Sequence, residues 1–142
     1  MDLFLIAHIA GRGVAIDTTQ IDSVVDLSPV VAVPRAPSAV RGLVALRSRV
    51  VTVVDTGIAL GLAAMPADAR RAIITRLDGH HYAMLVDSLE DVASFARQPL
   101  SSGLALDRGW AAAADGMVER DGEPMLVIDL ARLVPAPQAI AA

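Results

Sequence analysis

Four aspartates close apolar runs in this chain: Asp17, Asp55, Asp87 and Asp129. Two carboxylates brought together could serve as general acid and general base, one protonated and one ionised. An aspartate that follows a strand has a simpler use, because its side chain accepts backbone N–H groups in the turn. The four recur at repeat-related places, which favours the architectural role. His80 and His81 are adjacent, and His8 stands in the first apolar run. Neighbouring strand residues face opposite sides, so the pair chelates one metal poorly, and no further Asp, Glu or His at ligand spacing joins them. An exposed hairpin loop is the expected place for His80 and His81. The serines include no G-x-S-x-G elbow. "GRGVAI" lacks the third glycine and the helix of a dinucleotide fingerprint, and there is no phosphate loop. No catalytic residue, cofactor or metal ligand is therefore expected.

The arginines Arg35, Arg41, Arg47 and Arg49 form the one basic cluster in the sequence. For Arg35, Arg41 and Arg49 the simplest role is a solvated edge that discourages strand-to-strand aggregation. Arg47, in "VALRSRVVTVVDT" (44–56) at the junction of two very apolar runs, stands apart because of what its neighbours resemble.

These residues must be held by a core poor in rings. Hydrophobic residues make up 54% of the 142 positions but aromatics only 3%, so Val, Leu, Ile and Ala do the packing. Cysteine is absent, which excludes disulfides and thiolate metal sites. The net charge of -4 and pI near 5.2 argue against a general nucleic-acid binder, whose footprint is basic. The uncharged stretch 56–67 is too short for a bilayer, and "MDLFLIAHIAG" lacks the positive start of a signal peptide. A cytoplasmic protein without direct membrane insertion is expected.

Short runs rich in Val and Ile, bounded by turn residues, predict strands at 3–9, 13–17, 22–27, 29–33, 41–46, 49–55, 71–77, 82–87, 90–96, 115–120 and 124–129. Helical turns are expected after Asp55 and Asp129 and near 68–71, with a long, partly helical connection over 101–116 and a frayed tail from 135. Residues 42–60 align with 116–134 without a gap, matching Gly42 to Gly116 and Asp55 to Asp129. Residues 21–25 align similarly with 89–93. Such a repeat predicts two similar all-β lobes of about five strands, small enough to close as barrels.

"PSAVRGLVALRSRVVTVVDTGIALGL" (37–62) resembles the signature of CheW-like domains, the adaptor modules of bacterial chemotaxis arrays. That signature runs from a proline–glycine approach into a strand with an "NLRG" tip, then a strand reading V-P-V-x-D-L. Pro37, Gly42, Leu46, Arg47, Val51, Val53 and Asp55 stand at those positions. "GVAIDTTQIDSVV" (13–25), "YAMLVDSLEDV" (82–92) and "GMVERDGEPMLVIDLARLV" (116–134) are similar to three further family segments in the right order. The departures are Ser23 at an acidic position, Ala45 and Ser48 in the tip, and Thr52 at the strand proline.

The resemblance implies an all-β fold of two five-stranded SH3-like β-barrel lobes with short helices. One domain would span 1–142, its intertwined lobes falling roughly at 13–60 and 72–134. It also implies an adaptor without catalysis, bridging the regulatory domain of a CheA-type histidine kinase and the cytoplasmic hairpin tip of chemoreceptors. By that carry-over the receptor helix would lie in an apolar groove lined by Ile21, Val24, Val86, Leu89 and Val92, with Arg47 at the rim. The same module could instead be a kinase's detached regulatory domain. Met1 close before the first strand and the short tail favour a protein standing alone. A nucleic-acid-binding barrel using Arg35 to Arg49 would need exposed aromatics, and only Phe4, Tyr82, Phe95 and Trp110 are available.

Overall fold

The structure is a computed structural model, and it describes residues 1–101 and 105–135. Ten strands run in chain order: β1 (Asp2–Ile9), β2 (Arg12–Asp17), β3 (Ser23–Asp26), β4 (Val40–Leu46), β5 (Arg49–Val54), β6 (Arg71–Leu77), β7 (His80–Leu85), β8 (Ser88–Phe95), β9 (Ala114–Arg120) and β10 (Glu123–Ile128). Two short helices, α1 (Thr56–Ala59) and α2 (Arg108–Ala113), and two 3-10 turns complete the described chain. The expected tail beyond 135 and the stretch 102–104 of the long connection lie outside the described residues.

The strands form two five-stranded sheets, ordered β8-β1-β2-β10-β9 and β3-β6-β7-β5-β4. Renumbering each strand by five converts one order into the other. The repeat is therefore real in topology, but the halves are exchanged in space. The first sheet (lobe A) takes β1 and β2 from the first half and β8 to β10 from the second, and lobe B takes the reverse. The ranges 13–60 and 72–134 thus mark repeats along the chain, and each sheet draws on both. The exchange makes β2–β10 and β5–β7 parallel pairs in otherwise antiparallel sheets.

One residue joins the two ends of each sheet. Val31, following β3, exchanges both backbone hydrogen bonds with Leu43 on β4 at 2.8 Å. Gln98, following β8, does the same with Met117 on β9, at 2.8 and 2.9 Å. The expected strand 29–33 is reduced to this single bridge, because Pro29 and Pro34 bracket it and neither can donate to a ladder. The repeated glycine is explained at the same place. A Cβ on Gly42, whose φ is +154°, would collide with the Val31 carbonyl, and one on Gly116 would sit 3.1 Å from the Gln98 carbonyl.

Alternate residues of the central strands are buried on opposite sides, which is why they read as continuous apolar runs. Phe4, Ile6, Ala15, Val118 and Val127 fill lobe A. Val44, Val51, Val53, Ile74, Ala83 and Leu85 fill lobe B with Leu27, Met65 and Ala72. Leu5, Ala7 and Ile9 of β1 meet Ile73 of β6 and Tyr82 and Met84 of β7 in a third core between the sheets, joined by Leu60, Trp110, Leu130 and Leu133. The aromatic-poor chain thus spends Trp110 and Tyr82 on the seam between its lobes.

Candidate partner-binding site

Each of the four strand-end aspartates accepts a backbone N–H. Asp17 takes Thr19 (2.9 Å), Asp87 takes Gly11 (2.7 Å) and Asp129 takes Ala131 (3.1 Å). Asp55 is 2% exposed and takes Ile58 and Met65, while Arg41 donates to it at 2.6 Å. Asp55 and Asp129 each cap the helical turn that follows, as the repeat requires. Asp17 and Asp87 are not equivalent: Asp17 lies in the β1–β2 ladder opposite Phe4, whereas Asp87 lies past the end of β7. Burial disfavours the charged form of Asp17, but the Thr19 N–H, the Thr19 hydroxyl and the Arg97 guanidinium outweigh it and hold the carboxyl below its usual range. These carboxylates are used up in holding turns.

His80 and His81 are the first residues of β7, not loop residues, and the tip before them is Asp78–Gly79 alone. His81 is half-buried and accepts a hydrogen bond from Arg49. His8 pairs with Glu90 at 2.6 Å. Among the described residues no three His, Cys, Asp or Glu side chains gather as for a metal.

The expected groove residues separate into three kinds. Val24 on β3 stands opposite Ile73, and Val92 on β8 stands opposite Leu5. Ile73 and Leu5 belong to the core between the lobes, and cross-strand partners share a face. Val24 and Val92 therefore crop out on the two inter-lobe faces, 39% and 53% exposed. Ile21 and Leu89 are half-buried against the same core. Val86 is 1% exposed and belongs to that core, so it presents no surface. Its N–H bonds the Arg71 carbonyl just beyond the last β6–β7 pair, so it continues the alternation of β7 and shares the face of Tyr82 and Met84. One residue was overlooked: Leu3 is 51% exposed and shares the face of Leu5, as the two-residue strand period would have indicated.

Arg47 is exposed at the β4–β5 tip, where Arg47 (φ 51°) and Ser48 (φ 67°) both take left-handed backbone. Of the other arginines in its sequence cluster, Arg49 lies beside it and Arg41 does not. Arg41 is tied to Asp55 and to the carbonyls of Met65 and Pro66. Arg49, Arg76 and His81 instead join Arg47, with Asp22, Ser23 and apolar Leu46, Val51 and Ile74, around a cavity of about 320 Å³. Arg76 could not be found from local sequence, since it arrives through the β6–β7 pairing.

Comparison with known proteins gives a consistent result. The CheW-like domain profile matches residues 3–138. The chain is 24% identical over 123 residues to the "Chemotaxis protein CheW" of Thermotoga maritima, covering 87% of this chain and 81% of that protein. The crystal structure of the scaffolding protein TtCheW from Thermoanaerobacter tengcongensis matches with a TM-score of 0.79 at 20% identity, over 96% of this chain and 94% of that one.

Proposed function

This chain belongs to the CheW-like domain family, and from that membership we propose that it is a non-catalytic chemotaxis adaptor coupling chemoreceptors to a CheA-type histidine kinase. The whole chain would act as one domain in the cytoplasm, held at the membrane by its receptors. No helix among the described residues is long and apolar enough to cross a membrane.

The observation that carries this reading is the exposed apolar outcrop on the inter-lobe faces of β3 and β8. Val24 and Val92, with Ile21 and Leu89 half-buried beside them, leave the seam between the lobes partly uncovered. Apolar side chains exposed at such a seam offer a surface to a partner. A receptor hairpin tip would place an apolar helix face there, a helix-in-groove mode. Arg47, exposed on the β4–β5 tip, is the proposed polar contact at the rim, and the kinase regulatory domain would dock elsewhere on the lobes.

Calorimetric titrations with a receptor hairpin peptide and with an isolated kinase regulatory domain test the proposal. Saturable binding of each, and a ternary complex of all three, is the expected result. Binding of neither would refute the adaptor role.

A further inference from the structure

The inward-facing residues of lobe B turn from apolar to basic at one end. Along β6 the inward series Ala72 and Ile74 continues to Arg76; along β7, Leu85 and Ala83 lead back to His81; along β5, Val53 and Val51 lead back to Arg49. These three, with Arg47 from the tip and the Ser23 hydroxyl, line the cavity of about 320 Å³. Arg49 donates to the His81 ring, which pins both. Among the described residues neither the Arg47 nor the Arg76 guanidinium has a hydrogen bond or ion pair. Asp22 is the only carboxylate in the lining, set against three guanidiniums, so the cavity carries two unbalanced positive charges.

The repeat supplies an internal control. In lobe A, His8 stands where Arg76 stands, and Glu90 where Asp22 stands, each 68 residues apart in the chain. There these two positions pair with each other, while Asp121 and Glu123 stand where Arg47 and Arg49 stand. Glu90 accepts from His8 at 2.6 Å and from Arg120 at 2.8 Å, bridging β1, β8 and β9. The same architecture can therefore pair the side chains at these two positions, and in lobe B Arg76 and Asp22 are not paired. Guanidiniums gathered without a counter-charge repel each other, and their planar forks suit oxyanions.

We propose that the end of lobe B is a binding site for a dianionic phosphate group, held by Arg47, Arg49 and Arg76 with the Ser23 hydroxyl. A dianion balances the two excess charges, which one carboxylate would not. Asp22 opposes the ligand and sets an upper limit on affinity. Leu46, Val51 and Ile74 give the cavity an apolar wall, so the phosphate could be free or carried on an organic group. The site goes beyond the adaptor role, and Arg76 is not among the contacts proposed for it.

Amide NMR titrations of the intact protein at constant ionic strength test the site, using inorganic phosphate in one arm and a nucleoside monophosphate in the other. Saturable shifts confined to residues 22–23, 46–51, 74–76 and 81 are expected in at least one arm. Equal affinities would assign the free ion, and tighter monophosphate binding would assign an ester. Arg76→Gln should weaken binding about tenfold or more, the effect of one charge-assisted hydrogen bond. Arg47→Gln, on an exposed tip, repeats the test should Arg76→Gln fold poorly. Three results would overturn the proposal: no saturation in either arm, equal binding by wild type and variants, or binding of an aspartate-rich peptide where neither phosphate probe binds. A failed receptor titration would leave this result untouched.

Discussion

The β4–β5 hairpin of lobe B and the β9–β10 hairpin of lobe A occupy the same place in the two repeats and carry opposite charge. Each ends in a two-residue tip with left-handed backbone at both positions, Arg47–Ser48 in one and Asp121–Gly122 in the other. Each follows a glycine strand with one bulge and precedes an aspartate that caps a turn. Around the first tip lie Arg47, Arg49 and Arg76; around the second lie Glu119, Asp121 and Glu123. What both repeats share is what closing and capping a small lobe demands. What only one carries calls for a partner or ligand, and there the search for function belongs.

The comparison can be broken most severely at the repeated glycine. Gly42 combines positive φ with the Val31 carbonyl in the way of any Cβ, whereas the nearest atom at Gly116 is 3.1 Å away. Gly42→Ala should cost about 3 kcal/mol through backbone strain and overpacking, and Gly116→Ala about 1 kcal/mol. Urea denaturation of the two variants checks the difference. Equal losses would mean that the bridges at Val31 and Gln98 close their lobes in the same way.

The tips offer a smaller and opposite pair. Ser48 holds left-handed backbone that Gly122 holds without steric penalty. Ser48→Gly should stabilise by roughly 0.5–1 kcal/mol, the relief of strain being partly offset by the greater freedom of glycine in the unfolded chain. Gly122→Ser should destabilise by about the same amount. Thermal melts of both would show whether the basic tip holds its shape at a cost to stability.

The smallest effect concerns acid. Hydrogen bonds from Arg120 and His8 hold Glu90 at about 2, below its ordinary 4.5. A carboxyl depressed in the folded state binds fewer protons there than when unfolded. Its contribution is full above pH 4.5 and fades as pH falls towards 2. Glu90→Gln should therefore flatten the acid limb of the stability profile in that window.

Much of this was legible along the chain. The two-residue period identified most strands, and the fixed spacing from glycine to aspartate identified the repeat. Three things were hidden for physical reasons. Exchange of strands between the sheets leaves no trace in pattern, since both halves alternate alike, and only the family resemblance implied intertwined lobes. Val86 shares the face of Tyr82 and Met84 by the two-residue period, and only the fold shows that this face is covered there. Arg76 meets Arg47 only because β7 pairs with both β6 and β5. The family resemblance singled out Arg47, and adjacency in sequence grouped it with Arg49, which lines the same cavity, but also with Arg41, which does not.

The central claim is that an outcrop on the inter-lobe faces binds a receptor helix, and Val92→Asp tests it most directly. Val92 is 53% exposed, so the change should alter folding stability by less than about 1 kcal/mol. A charge buried against an apolar helix face should weaken binding of a receptor hairpin peptide by about tenfold or more. Calorimetric titration beside a thermal melt gives both quantities on one sample. Weakened binding at an unchanged melting temperature is the predicted result; unchanged binding would place the receptor elsewhere and contradict the account.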